Sequence, residues 1–217
     1  MVEKTKALEA YQEAEEDQEA LECIPMLKRS DIKKEAAKFV NEELSVDDSL
    51  FLYHDVCTNG IGYVDLMFKT DSIAPEQIPY LGLLKSVLGY VDTKDYTYGE
   101  LFNEINANTG GINCGVEVFD RADSTEEFQA MFSVRGKALY TKMDFLFKMI
   151  QEILNTSRLE DTKRLYEIIA SVKSRAQVSL TGAGHSTAVL RATAYSSPMA
   201  AFQDEMAGIG YYQFIEN

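Results

Sequence analysis

The sequence predicts an α+β fold, an antiparallel-hairpin-containing mixed sheet packed by helices and preceded by a helical linker. Two observations carry that expectation. Short apolar, aromatic-rich runs come in pairs, 50–56 with 61–68 and 112–119 with 128–134, and each run has the length of a strand rather than a helix. Each pair is followed by two stretches whose apolar residues recur every three to four positions, so strand pairs and helix pairs alternate along the chain. No shorter internal repeat is visible.

Residues 1–45 are expected to form the linker and 46–217 the domain, the latter cut short at its C-terminal end. From Glu3 to Glu22 the chain is rich in Glu, Ala, Gln and Lys, with only Leu8, Tyr11 and Leu21 as large apolar residues, a helix-forming but weakly amphipathic pattern. Ile24-Pro25-Met26-Leu27 breaks it, because proline removes a backbone donor. Ser30-Asp31 is expected to cap a second short helix through Phe39 and Val40, its side-chain oxygens accepting from free backbone N–H groups.

Thr58-Asn59-Gly60 separates the first two apolar runs, and an Asn-Gly pair tolerates the positive φ angles of a tight turn, so 50–56 and 61–68 are expected to form a hairpin. Pro75 to Pro79 opens a helix through about Tyr90, with Leu81, Leu84 and Leu88 on its buried face and Lys85 nearer to solvent or snorkelling along the surface. Thr97 and Glu100 form a capping box for a second helix, whose Leu101, Phe102 and Ile105 face one way and which Gly110-Gly111 ends. Ser124 to Glu127 is expected to turn the chain between the second pair of strands, with a helix over the same residues left open. Long helical patterns follow from Lys137 to Leu154 and from Leu159 to Leu180, with Phe145, Ile150, Ile153, Leu165 and Ile169 as core candidates. Two short helices surround Ser196-Ser197-Pro198.

A formal charge of −14 and a pI near 4.6 exclude nucleic acid and anionic membrane as natural partners, since both require clustered Lys and Arg. The same charge would attract cationic peptides. Cys23, Cys57 and Cys114 are odd in number and widely spaced, which suggests neither a disulfide framework nor a thiolate zinc site and fits a reducing compartment. No stretch reaches the roughly 18 apolar residues of a membrane span, and Met1-Val2-Glu3-Lys4 leads into an acidic helix rather than a signal-peptide core, so the expected location is cytoplasmic.

His54 and His185 are far apart and neither has an acid-base partner at motif spacing, so neither reads as a zinc ligand or a general base. His54 is expected half-buried on the first strand, and His185 as a cap of the helix after Gly182-Ala183-Gly184. Cys57 and Cys114 lack a histidine placed by motif and are expected to be small core residues. Gly60-x-Gly62 and Gly182-x-Gly184 lack the further glycine and the strand-to-helix setting of a dinucleotide loop. The residues themselves thus give no catalytic, cofactor-binding or metal site.

The stretch from Asp92 to Ile112, preceded by Leu83 to Val91 and by His54-Asp55-Val56-Cys57-Thr58-Asn59-Gly60-Ile61, resembles the presequence-protease branch of the pitrilysin/insulinase zinc metallopeptidases, from about Ala20 to the last residue. The resemblance is to the linker and the third, non-catalytic domain. Those enzymes carry His-x-x-Glu-His on a helix of their first domain, a pattern that occurs nowhere in this chain. Laid on this sequence by Ser86-Val87-Leu88, the positions of His, Glu and His fall on Leu81, Leu84 and Lys85, none of which can bind zinc or act as base. A further glutamate ligand lies several tens of residues downstream in catalytic domains. Glu160 and Glu167 fall at about that distance, where without first ligands they are expected to be solvated.

The resemblance implies a parent zinc metalloendopeptidase that closes two bowl-shaped halves around unfolded peptides. The partners are then the catalytic N-terminal half of the same polypeptide and peptide substrates, and zinc belongs to the parent rather than to this segment. The linker corresponds to the second arm of the helical hairpin between the halves. The Arg and Tyr that the second half gives to the family's active site belong to its last domain and match no position here. Tyr211-Tyr212 is the one place where aromatic groups are expected at a peptide chamber. Two other readings stand beside this one, a free-standing structural or interaction protein related to non-catalytic processing-peptidase subunits, and an unrelated peptide-binding module.

Overall fold

The computed structural model describes residues 2–14, 18–35, 38 and 40–217, and the chain divides into two units, Met1–Val56 and Cys57–Asn217. In the first, α1 (Val2–Glu13) and α2 (Gln18–Glu22) leave every described residue exposed, as expected of helices with almost no apolar stripe. The helix expected after Ser30 is a single 3-10 turn, Arg29–Asp31, in which Asp31 Oδ2 accepts from the Lys28 amide at 2.8 Å. Residues 32–35, 38 and 40 are not helical, and Phe39 lies outside the described residues.

Strand β1 (Glu42–Val46) pairs antiparallel with β2 (Ser49–Tyr53), with Val46 opposite Ser49 and Leu44 opposite Phe51. The turn is Asp47-Asp48, where Asp47 has φ 51°, a left-handed angle that Asp tolerates because its short side chain bonds locally. This corrects the hairpin expected between 50–56 and 61–68. Asn59 and Gly60 do take φ of 52° and 83°, and Ile61 N donates to Thr58 O at 3.2 Å, so the tight turn is real. The strands on its two sides pair elsewhere.

In the second unit, β3 (Ile61–Lys69), β4 (Ile112–Arg121) and β5 (Ser124–Leu139) form an antiparallel sheet in the order β3-β5-β4. Val64 lies opposite Gly136, and Cys114 opposite Val134. Ser124 to Glu127 lie within β5, and the reversal sits at Ala122-Asp123, so the turn expected at 124–127 comes two residues earlier. Lys137 to Leu139 also belong to this strand, which delays the start of the next helix.

The helices are α3 (Ile78–Val87), α4 (Tyr98–Asn108), α5 (Met143–Thr156), α6 (Thr162–Gly182), α7 (Gly184–Thr193), α8 (Pro198–Ala207) and α9 (Ile209–Glu216). Three short helices, not two, therefore follow α6. The Thr97 capping box forms in full, with Thr97 Oγ1 accepting from Glu100 N at 3.3 Å and Glu100 Oε2 from Thr97 N at 3.0 Å. Leu101 and Ile105 are buried, whereas Phe102 is 59% exposed and off their face.

Two apolar clusters meet at α3. Leu81 and Leu88 join Leu101, Val134, Leu146, Met149, Ile153 and Phe202 against one face of the sheet. Val87, with Val91, packs on Ile168 and Val172 of α6 and on Tyr211 and Ile215 of α9. The buried face of α6 thus runs through Ile168 and Val172 rather than Ile169. Across the other face of the sheet, Arg135 links Asp65 at 2.7 Å to Glu117 at 3.1 Å. Asp204, buried on α8, pairs with Arg191 at 2.6 Å and accepts from the amides of Ile209 and Gly210 at 3.0 Å, fixing the start of α9. No helix among the described residues is long and apolar enough to cross a membrane.

Candidate functional site

Helix α3 carries the three positions where the resembled zinc helix would present its ligands and base. Leu81 is 7% exposed in the sheet-facing core, and Leu84 is half-buried against the same cluster. Lys85 is half-buried too, lining a cleft rather than standing clear in solvent. The reason is helical geometry. Lys85 follows Leu81 by four residues and precedes Leu88 by three, so it shares their stripe.

Lys85 opens into a cleft of about 470 Å³ between α3 and α6. Ser86 and Tyr90 complete the α3 side, and Cys114 of β4 lies in its wall. The α6 side is built by Arg164, Ile168, Ser171 and Arg175, whose spacing of four, three and four residues sets them on one face of the helix. Sequence reading passed over this polar stripe, although its helical period was there to find. Glu167 is also in the cleft lining, so the structure brings Lys85 and Glu167 together; Glu160 precedes α6 and is exposed.

Arg164 is fully engaged. Its Nε donates to Tyr90 O at 2.9 Å, its Nη1 pairs with Glu167 at 3.2 Å, and its guanidinium lies 3.8 Å from the centre of the Tyr98 ring. Arg175 donates to Ser171 Oγ at 3.0 Å, and Ser86 Oγ donates to Gly82 O at 3.1 Å. Among the described residues neither Lys85 nor Arg175 has a carboxylate at ion-pair distance. Burial lowers the Lys85 ammonium below its ordinary pKa and pushes the Cys114 thiol up to about 11, which leaves that sulfur protonated and a poor nucleophile at neutral pH.

Behind the cleft wall, Tyr211 is 5% exposed, and its hydroxyl is sealed from solvent beside Ser86 without a hydrogen bond of good geometry among the described residues. Burial pushes its pKa up to about 12, against smaller opposing effects of Ser86 and Arg175 beside it. Tyr211 is thus a core residue of the α3/α9 contact rather than an exposed aromatic surface. Tyr212 is half-buried and donates to Glu216 at 3.1 Å.

The remaining candidates lie apart. His54 is exposed just beyond β2, its Nδ1 2.9 Å from Val40 O, so it is not the half-buried strand residue expected. His185 is exposed in the first turn of α7, which has no side-chain cap bond, so it does not cap that helix. Cys57 is exposed rather than packed in a core, Cys114 is half-buried, and all three cysteines are unpaired. No group of three or more His, Cys, Asp or Glu among the described residues is placed to hold a metal ion. The donor set of the cleft, an ammonium, two guanidiniums, one carboxylate already paired and the single Cys114 thiol that burial keeps protonated, does not fit zinc, which takes several neutral imidazole, thiolate or free carboxylate ligands.

The family described as Peptidase M16-C associated matches residues 1–217. The chain is 36% identical over its whole length to "Protein HypA" of Clostridium perfringens, of which it covers 22%. It is 29% identical over 97% of its length to presequence protease 1, chloroplastic/mitochondrial, of Arabidopsis thaliana, covering 19% of that protein. Against the mitochondrial presequence protease of Yarrowia lipolytica the identity is 29% over 93% of this chain and 20% of the relative. The chain therefore spans about a fifth of the length of the curated relatives it matches.

Proposed function

The chain belongs to the peptidase M16-C associated family, and from that membership we propose that it is a non-catalytic segment of a zinc metalloendopeptidase that degrades unfolded peptides, forming part of the second half of its substrate chamber. One observation carries the reading. Where the resembled enzymes place zinc ligands and base, α3 offers one buried and one half-buried leucine and an ammonium, and α6 adds guanidiniums around the single carboxylate found in the cleft among the described residues. Such a site repels a cation, so the metal and its activated water belong to another part of the polypeptide, where zinc polarises the scissile carbonyl.

The role left to this segment is to shape and close the chamber around extended chains, with the catalytic N-terminal half of the same polypeptide as its partner. Its net charge of −14 would draw cationic peptides inward, consistent with relatives named for presequences. Three unpaired thiols support a reducing compartment, the cytoplasm being the proposed one.

The test is a photo-crosslinking peptide trapped in the full-length polypeptide whose catalytic base has been removed. Crosslinks within residues 57–217 are expected, and their confinement to other segments would overturn the chamber assignment.

A further inference from the structure

We propose that the cleft between α3 and α6 receives the C-terminal carboxylate of a bound peptide, with Lys85 and Arg175 as its charge partners. The proposal deepens the chamber reading and rests on it for the peptide; the recognition itself rests on the cleft.

Charge singles the cleft out. In a chain of net −14, it gathers three cations against one carboxylate, and Arg164 already engages that carboxylate, Glu167. Lys85 and Arg175 are left without a counter-ion among the described residues. A half-buried ammonium with no partner is costly, and an entering anion removes the cost through charge-assisted hydrogen bonds. The lowered pKa of Lys85 reports the same unrelieved burial.

A second observation points the same way. The Ser171 hydroxyl in the cleft lining accepts from Arg175 Nη1 at 3.0 Å and keeps its own O–H to donate beside that guanidinium. An anion seated beside Arg175 would accept from that hydroxyl as well as from the guanidinium. The volume of about 470 Å³ exceeds what a bare ion needs and suits a terminal residue with its carboxylate.

The identity of the anion follows from the substrates. Peptides drawn in by the acidic surface are cationic, and the negative group that every free-acid peptide carries is its α-carboxylate, ionised at neutral pH. Side-chain variation would leave this handle unchanged, so the cleft could hold unrelated sequences by one end.

Fluorescence anisotropy of the 217-residue chain with a labelled extended basic peptide at low salt tests this, using the free acid and the C-terminal amide. The free acid is expected to bind about tenfold more tightly, a difference of about 1.4 kcal/mol. Lys85→Met and Arg175→Gln should each weaken the free acid several-fold and leave the amide unchanged, with circular dichroism confirming that both variants fold. Equal binding of the two peptides, or no binding of either, overturns the proposal without any variant. Displacement by inorganic phosphate or acetate at the peptide's own concentration also overturns it, because the site would then belong to a small anion. The crosslinking experiment separates the two claims: crosslinks on 57–217 that ignore the peptide's C-terminal group leave the chamber standing without the carboxylate site, whereas their absence removes the chamber itself.

Discussion

Gly82 and Tyr211 pack so closely that a Cβ on the glycine would stand 2.7 Å from Cε2 of the ring, and 2.9 Å from the carbonyl oxygen of Met206. A backbone atom bounds this space, so it cannot yield as a flexible side chain would. Alanine is about 1 kcal/mol better than glycine in a helix, but overpacking costs about 1–3 kcal/mol. Gly82→Ala is therefore expected to destabilise, by up to about 2 kcal/mol after that offset. Gly99, in the first turn of α4 with nothing within 4 Å of its would-be Cβ, is the control, and Gly99→Ala should stabilise by about 0.5–1 kcal/mol. Urea midpoints of the two variants moving in the same direction would contradict the packing at α3.

Lys85 and Leu84, adjacent on α3, should respond in opposite directions. Leu84 is half-buried against the core, and Leu84→Ala is expected to cost about 1–2.5 kcal/mol, less than the about 2–5 kcal/mol of a fully buried leucine such as Leu81. Lys85→Met keeps the aliphatic stem and removes an unpaired, half-buried charge, so it should stabilise at neutral pH. The sign follows from linkage. Burial depresses the folded-state pKa of Lys85, so the unfolded chain binds the proton more tightly, and the penalty fades as pH rises from the lowered value through the ordinary 10.5. The advantage of Lys85→Met should shrink over that alkaline range, which thermal midpoints at several pH values will show.

Glu152 gives the complementary acid limb. It is buried on α5, and the Thr156 and Thr93 hydroxyls together with the Asp95 amide, 3.0 Å away, hold its carboxyl below the ordinary 4.5. A depressed carboxylate pKa contributes stability that is present above 4.5 and lost as pH falls through the lowered value. Glu152→Gln should thus be less stable than the parent at neutral pH, with the difference closing on acidification below 4.5. A difference that stays constant between neutral and strongly acid pH would remove Glu152 from this role.

What the sequence made legible was local. The Thr97/Glu100 box and the positive φ at Asn59-Gly60 are set by neighbours within four residues, and each is where the chain predicted it. Pairing across distance was not legible. Asn59-Gly60 dictates a turn but not the partners of the strands beside it, and the β3/β5 register is set by apolar faces that meet only in the folded sheet. Phe102 was misplaced because a residue next to a buried Leu101 lies about 100° round the helix. The half-burial of Lys85 follows from Leu81 one turn before it rather than from its neighbour Leu84. The absence of a zinc helix could be read from residue identities, whereas the cationic cleft required Lys85 of α3 and Arg175 of α6 to be brought face to face.

The central claim, that this segment serves a metallopeptidase without carrying its metal, is tested most directly by elemental analysis of the purified chain after exposure to excess zinc and desalting. The arrangement of Leu81, Leu84, Lys85 and the α6 guanidiniums predicts zinc far below one equivalent. Near-equimolar zinc, accompanied by chelator-sensitive cleavage of an unstructured peptide, would contradict it.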